Sequence, residues 1–434
     1  MTGLINYPNW NFIRMSNKTH DFVNFIIYVV FFSAAFFIPL GLSFPFFFPL
    51  KHFHVSLGAL VLFCLAKEDL IGKVKTHYHL VFPLISWLAI LFVSYVSNLA
   101  QGESHGTLMM TLNLLSLVIS SSFLIWILAD KKEAIPDAIL FFVFGVCIRV
   151  ILAAAKSFRN WPASEMVEGL IHNNHIGFVT SGALFLLLPF LLMKYNFKKQ
   201  LAAWGMFITI LIGLLLSCSR TAWLSTLVGY FLFCVFLFFL DQTHALPTLR
   251  IPIKGFIWGV SLFFYVALLL SIFSSPETKD RFAAMQILFE PSHWDHALTH
   301  DQNFGPLGFL RLDQFFATRE IWRHHGLFGV GFSRYVMDFH CLYLTMLGAS
   351  GVLGSLFFLF FCFLWLKELF SAMLSTANEF NLFRVGILCA FCAWLTTSFL
   401  ETFLIQFNIW ILIVAGIIMS SAETKQTRLY NYEN

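Results

Sequence analysis

The sequence predicts an all-α polytopic membrane protein, and three observations predict it. Hydrophobic residues make up 59% of the 434-residue chain and charged residues only 12%, about half of the charged share in soluble domains. The mean hydropathy is +0.78. A water-soluble core could not hide 55 phenylalanines, so much of the apolar surface must face lipid. We therefore expect residues 1–434 to form a single integral membrane domain in contact with membrane lipid.

Each predicted element is a membrane-spanning helix, because a span needs roughly 20 apolar residues and such runs recur along the chain. Two joints between runs are tight, at residues 217–220 and 401–402, and each predicts a sharp turn at one membrane face. A long polar segment near 275–339 separates the ninth run from the tenth. About twelve spans are predicted on this criterion, near 22–42, 48–66, 79–99, 107–129, 135–155, 174–193, 201–217, 221–240, 255–274, 340–366, 382–400 and 403–421.

Lysine and arginine predict the orientation, since cytoplasmic loops carry an excess of both. With the N-terminus in the cytoplasm, the inner side receives 16 of the 27 basic residues although its loops are short. Both termini are therefore expected in the cytoplasm, and the segment 275–339 is expected outside. The net charge of +4 does not predict a nucleic-acid partner, because a chain buried in lipid has few faces for a basic patch.

The outer side differs in the kind of basic residue that it carries. Eight of its eleven basic residues are Arg, whereas twelve of the sixteen on the inner side are Lys. A guanidinium can grip two phosphate oxygens at once and stays charged when it is partly desolvated. The outer face therefore predicts a site for an anionic, phosphorylated ligand. The alternative is that these arginines pair with Asp and Glu of the same loops.

Two outer segments are long enough to carry chemistry, because loops of this length are uncommon unless they are functional. The first, 156–173, contains Arg159 and leads to His175. The second, 275–339, includes the stretch FLRLDQFFATREIWRHH, whose apolar spacing predicts an amphipathic helix lying on the outer membrane surface. On that helix, Arg311 and Arg319 are eight residues apart and roughly share a face.

A histidine cluster in the second segment, HWDHALTHD, offers the alternative of a metal site. His293, His296 and His300 have spacings that can ligate a divalent ion from one helix face. The flanking sequence supplies no obvious further ligand. We therefore expect solvated polar surface here and no metal.

Two short motifs carry a family resemblance. CSRTAWLSTLVGY places Arg220 at a tight joint between two spans, and HCLYLTMLGASGVLGSLFF places His340 where the long loop re-enters the membrane. With the predicted layout of spans, they resemble the O-antigen ligase family, within a larger group that includes O-antigen polymerases. That family's signature is a His, then Asn, Ser or Gln, then nine residues to a Gly and a small residue three further on. His340, Gly351 and Gly354 fit this spacing, whereas position 341 is Cys.

The resemblance implies a GT-C-like glycosyltransferase of the bacterial inner membrane, with its ligase/polymerase-type core at 200–365 and its active site facing the periplasm. Such an enzyme moves a glycan from undecaprenyl diphosphate to a sugar hydroxyl of lipid A–core, with inversion and without a metal or other cofactor. The implied base is His340, and the implied diphosphate ligands are Arg220 and Arg311, with Arg319 as the rival to Arg311. Supporting roles are implied for Arg159, His175 and Glu401.

Other functions remain open at the level of sequence. An O-antigen polymerase would use the same donor and the same catalytic logic. Protein O-oligosaccharyltransferases of the same group usually carry further C-terminal sequence. A transporter of lipid-linked glycan belongs to a different class, in which two pseudo-repeated halves and broken helices at the midplane are common; the sequence shows no such repeat.

Overall fold

The described part of the chain is helical throughout. In the computed structural model it comprises residues 78–100, 134–158, 173–193, 197–217, 219–242, 255, 259–261, 312–331, 341–375, 380–398, 413 and 415–420. These residues contain no strand, so the all-α prediction is confirmed for them. In chain order, their longer helices are α1 (Tyr78–Ala100), α2 (Ala134–Phe158), α3 (Asn173–Leu192), α4 (Phe197–Leu216), α5 (Arg220–Gln242), α6 (Leu312–His325), α7 (Leu342–Ser375) and α8 (Phe380–Thr397).

Five of the described helices are long and apolar enough to cross a membrane, as a multi-pass protein requires. They are the apolar parts of α2, α4, α5, α7 and α8. Two shorter apolar stretches, Phe82–Val96 and Ile176–Leu192, lie in α1 and α3. The total of twelve spans stays a prediction, since the runs near 22–42, 48–66 and 107–129 lie outside the described residues.

Helix α3 is the central helix of the described bundle. Every side chain from 176 to 193 is buried, and α3 packs against α2, α4, α5 and α8. A helix that is apolar on all sides is expected in such a place. Small residues allow the close crossings: Gly182 lies against Trp394 of α8, and Gly229 of α5 lies against Phe185.

Helix α7 is bent, because both of its ends are bonded to the ends of the shorter helix α8. The backbone of Leu342 bonds to that of Ser398 (2.9 Å) at one end of α8, and Asn381 bonds to the Met373 carbonyl (3.3 Å) at the other. A straight helix from 342 to 373 would measure about 46 Å, whereas 381 to 398 covers about 26 Å. The excess is taken up at Gly351, where φ is 62° and ψ −168°.

The bend also changes the predicted tenth span, which was expected as one helix over 340–366. The helix instead bends at Gly351 and continues to Ser375. Its part over residues 352–373 measures about 32 Å, which is enough by itself to cross a membrane.

Arg384 is one of the sixteen basic residues that the predicted orientation assigns to the cytoplasmic side, and it is buried at the opposite end of the bundle. Its guanidinium donates to the carbonyls of Met419 (2.8 Å) and Ala372 (3.0 Å) and to the Asn381 side chain (2.7 Å). Carbonyls at helix C-terminal ends carry partial negative charge. The arginine thus ties α8 to the ends of α7 and of the helical segment at 415–420.

Candidate functional site

The tight joint between α4 and α5 is built by two buried serines. Ser219 caps α5: its carbonyl accepts from the Trp223 amide (3.1 Å) and its hydroxyl from the Ala222 amide (3.4 Å). The Ser217 hydroxyl donates to the Leu214 carbonyl (2.8 Å) and accepts from the Ser219 amide (3.3 Å). Serine is a strongly preferred N-cap residue because it satisfies the first free amides of a helix. The predicted sharp turn is confirmed, and Arg220 is the first residue of α5.

The first turns of α3 pack directly onto this joint. A Cβ on Gly177 would lie 2.6 Å from the Ala222 Cβ and 3.0 Å from the Ser217 hydroxyl oxygen. Only glycine therefore allows the two helices to meet so closely. His175 lies two residues earlier, in the first turn of α3. The backbones that carry His175 and Arg220 consequently lie at the same end of the bundle, which we call the joint end.

The start of α7 and the last turn of α8 also lie at the joint end. Besides the backbone bond from Leu342 to Ser398, the Tyr343 hydroxyl donates to the Leu395 carbonyl (3.3 Å). Helix α8 is tied in turn to α3, since the Trp394 indole donates to the Phe178 carbonyl (2.8 Å) and the two rings stack. The joint end is therefore a packed cluster of the starts of α3, α5 and α7 with the end of α8.

The predicted site residues divide into three groups. The structure describes the backbones of Arg220 and His175 but not their side chains. It describes Arg319 in full, as an exposed residue of α6. Outside the described residues lie Arg159, Arg311, His340, Glu401 and the three histidines at 293, 296 and 300.

Two of the residues outside the described ranges have neighbours at the joint end. His340 directly precedes Cys341, which is buried at the start of α7. Glu401 follows Ser398 by three residues. The described neighbours of these two positions, Cys341 and Ser398, thus lie at the joint end together with the start of α5.

The segment after α6 inserts into the break of α7, a feature that the sequence did not predict. The break frees the carbonyls of 348 and 349 and the amides of 352 and 353. Residues 330 and 331 donate to these two carbonyls (2.8 Å each), and the carbonyls of 326 and 327 accept from these two amides (2.9 and 3.2 Å). All four groups are therefore bonded, as a break within a membrane requires. We call the paired segments 326–331 and 348–353 the interlock.

Three glycines with positive φ make the interlock possible: Gly329 and Gly331 (71° each) and Gly351 (62°). Glycine alone adopts these angles without steric cost. The signal in the sequence is the pair of glycine-rich stretches GLFGVG and GASG. It predicts flexibility or turns locally, but not that the two stretches pair with each other.

Helix α6 confirms a helix in the predicted stretch, over Leu312–His325, while its position on the outer membrane surface stays a prediction. It also shows which charges are paired. Thr318 is buried and Ile321 packs against the core, so these two residues face the bundle. On the exposed side, Glu320 accepts from Arg323 (3.2 Å) and contacts His324 (3.3 Å). Arg319 is exposed and forms no ion pair with another described residue. The pairing of loop arginines with loop acids therefore holds for Arg323.

Comparison with known proteins adds no assignment: neither a protein-family model nor a curated protein sequence matches this chain. At the joint end, Arg220 begins a capped helix, and Cys341, the residue after His340, is buried.

Proposed function

We propose that the chain is a membrane glycosyltransferase that moves an O-antigen glycan from undecaprenyl diphosphate to a sugar hydroxyl of lipid A–core. The reaction takes place on the periplasmic face of the bacterial inner membrane. One observation supports the proposal: the start of α5 in the first motif, the start of α7 in the second motif and the end of α8 lie together at the joint end. A reaction between two large lipid-linked substrates needs its catalytic groups at a membrane surface, and the orientation predicted from Lys and Arg puts the joint end at the outer one.

The diphosphate would be held by Arg220 together with Arg311, or with its rival Arg319. Arg220 begins α5, where the unsatisfied amides and the macrodipole of the helix add positive potential. Negative charge grows on the diphosphate as the sugar leaves, and fixed guanidinium groups stabilise this charge in the transition state. In this proposal, arginine supplies the charge that a metal ion supplies in other glycosyltransferases.

His340 would act as the base. The acceptor oxygen forms a bond to the anomeric carbon, the bond from that carbon to the diphosphate oxygen breaks, and the acceptor proton moves to the imidazole of His340. Imidazole accepts a proton near neutral pH, which suits it to this step. Direct displacement inverts the anomeric centre. Glu401, Arg159 and His175 would orient the arginines or line the cavity.

The break in α7 is the observation that bears on the rival transporter function. Broken helices in transporters expose backbone groups to a substrate near the midplane. Here the freed groups at 348, 349, 352 and 353 are bonded to the segment after α6. The break therefore serves chain packing, and it does not favour transport over glycosyl transfer.

The test is a deletion strain of the source bacterium, whose lipopolysaccharide is resolved on a gel. The ligase proposal predicts loss of every capped species, with polymer retained on undecaprenyl diphosphate. Wild-type sequence should restore the capped ladder, whereas His340→Ala should not, at equal protein level in the membrane. Core capped with a single repeat would instead identify a polymerase. An unchanged ladder would contradict both functions.

A further inference from the structure

Three apolar side chains are exposed where α6 passes into the interlock. Trp322 is 56% exposed, Leu327 58% and Phe328 44%. They form one continuous stretch, because the Trp322 ring lies directly over Gly326, with its Cδ1 2.7 Å from where a Cβ would stand. Exposed apolar groups of this size next to each other mark an interaction surface. We call these three residues the apolar edge.

The contacts of the interlock fix the depth of the apolar edge. The Ser94 hydroxyl donates to the Phe328 carbonyl, and Gly331 packs against the backbone of Tyr95. Ser94 lies two residues before the end of the apolar stretch Phe82–Val96 of α1, which corresponds to about 3 Å along the helix. The apolar edge therefore lies just inside the end of this apolar stretch.

At that depth the neighbouring helices also expose large apolar side chains. On α1 the exposed apolar residues run from Phe82 (48%) to Val96 (47%), and on α7 Leu356 is 56% exposed. Exposed apolar residues on the apolar helices of a membrane protein face acyl chains, and we call those of α1 and α7 the lipid-facing band. The Phe328 carbonyl is bonded to Ser94, which lies within this band on α1, so acyl chains are the expected surroundings of Leu327 and Phe328.

The arginines near the apolar edge lie where residues that contact lipid headgroups are expected. Arg319 precedes Trp322 by one helical turn, and Arg323 follows it directly. Tryptophan and arginine together are typical of the boundary between acyl chains and water. Glu320 accepts from Arg323, whereas Arg319 has no acidic partner among the described residues and can bind a phosphate.

We propose that the end of α6 and the turn after it are inserted into one leaflet of the bilayer. Leu327 and Phe328 lie among acyl chains, Trp322 lies at the boundary, and Arg319 binds the phosphate of a phospholipid headgroup. The occupant of the apolar edge is lipid, because the edge continues the lipid-facing band of α1 and α7 at the same depth. This inference is independent of the proposed enzyme activity. Within that activity, it leaves Arg311 as the second diphosphate ligand.

The first test measures depth. A bimane label is placed on Leu327→Cys in liposomes, with Glu320→Cys as the control expected in water and Phe363→Cys of α7, 61% exposed, as the control expected in lipid. Labelling of the parent protein is measured in parallel and subtracted. Doxyl groups on acyl chains should quench the Leu327→Cys label as strongly as the Phe363→Cys label, and aqueous iodide should not. Iodide quenching equal to that at Glu320→Cys would overturn the proposal.

A second labelled position and a second kind of measurement keep the proposal testable if one variant fails to fold. Phe328→Cys should give the same result as Leu327→Cys, and every variant must elute as the same single species as the parent protein.

Native mass spectrometry of protein from phosphatidylglycerol nanodiscs then tests the headgroup contact. Arg319→Gln should retain several-fold less phosphatidylglycerol than the parent protein, whereas Arg323→Gln should retain a similar amount. Equal retention in the parent and Arg319→Gln would refute the headgroup contact.

Discussion

Gly329 and Gly351 face each other so closely that neither position has room for a side chain. A Cβ on Gly329 would lie 2.5 Å from the Gly351 amide nitrogen, and a Cβ on Gly351 would lie 2.6 Å from the Gly329 amide nitrogen. Both residues also have positive φ. Their contact fixes the end of α6, the helix that carries Arg319, against the break of α7.

Gly329→Ala and Gly351→Ala should each destabilise the protein. Alanine at positive φ costs about 1–2 kcal/mol, and forcing an extra carbon into a packed site costs about 1–3 kcal/mol. The measurement is the loss of the monodisperse species on size exclusion after heating in detergent. Gly205→Ala in α4 is the control, because a Cβ there meets nothing within 4 Å. If Gly329→Ala, Gly351→Ala and Gly205→Ala all lost the monodisperse species at the same temperature, the close packing in the interlock would be contradicted.

Arg384→Met should destabilise the opposite end of the bundle. It leaves the carbonyls of Ala372 and Met419 without the guanidinium that now donates to them, and each bond to a charged group is worth about 1.5–3 kcal/mol. Heating followed by size exclusion should show an earlier transition than in Lys198→Met, the control at an exposed position of α4. The transition temperature of Arg384→Lys should lie between those of Arg384→Met and Lys198→Met, since lysine cannot bond both carbonyls in the same geometry. Equal transitions for Arg384→Met and Lys198→Met would refute a stabilising role.

The segment 275–339 should be extracytoplasmic. A cysteine at Ser292 should react with a membrane-impermeant maleimide on intact spheroplasts, with a cysteine at Ser375, at the other end of α7, as the cytoplasmic control. The expected result is labelling of Ser292→Cys before permeabilisation and of Ser375→Cys only after it. The reverse pattern would invert the orientation and remove the site from the side where lipid-linked glycan is presented.

Arg220→Lys should lower transfer while the fold persists. Lysine keeps the charge but loses the two-pronged contact with the diphosphate, and the loss of one charge-assisted contact costs about 1.5–3 kcal/mol, which is more than tenfold in rate. Transfer is measured with purified protein at saturating donor, and Arg323→Lys is the control because Arg323 pairs with Glu320. If Arg220→Lys transferred glycan at the wild-type rate, a positive charge at this position would be sufficient, and a two-pronged contact with the diphosphate would not be needed.

Sequence patterns predict the elements of this fold well and their long-range pairing poorly. The starts and ends of α1 to α5 and α8 lie within a few residues of the predicted spans, because a bilayer selects for continuous apolar runs. The tight joint before Arg220 was predicted for the same reason, but its serine caps were not. The break at Gly351 was not, since its flanks are apolar and the partners of its freed groups lie about 20 residues earlier in the chain. Buried Arg384 was likewise missed, because carbonyl partners have no signature in sequence.

The most direct test of the proposed reaction uses purified protein in detergent with undecaprenyl diphosphate-linked glycan and lipid A–core. The wild-type protein should form capped lipid A–core with and without EDTA, and the rate should fall at pH values where an imidazole takes up a proton. His340→Ala should bind the lipid-linked donor but reduce transfer by about 10²–10⁴-fold. Cys341→Ser, which alters the neighbouring residue, should retain activity. Full transfer by His340→Ala, or no transfer by the wild-type protein, would contradict the proposed glycosyltransferase mechanism.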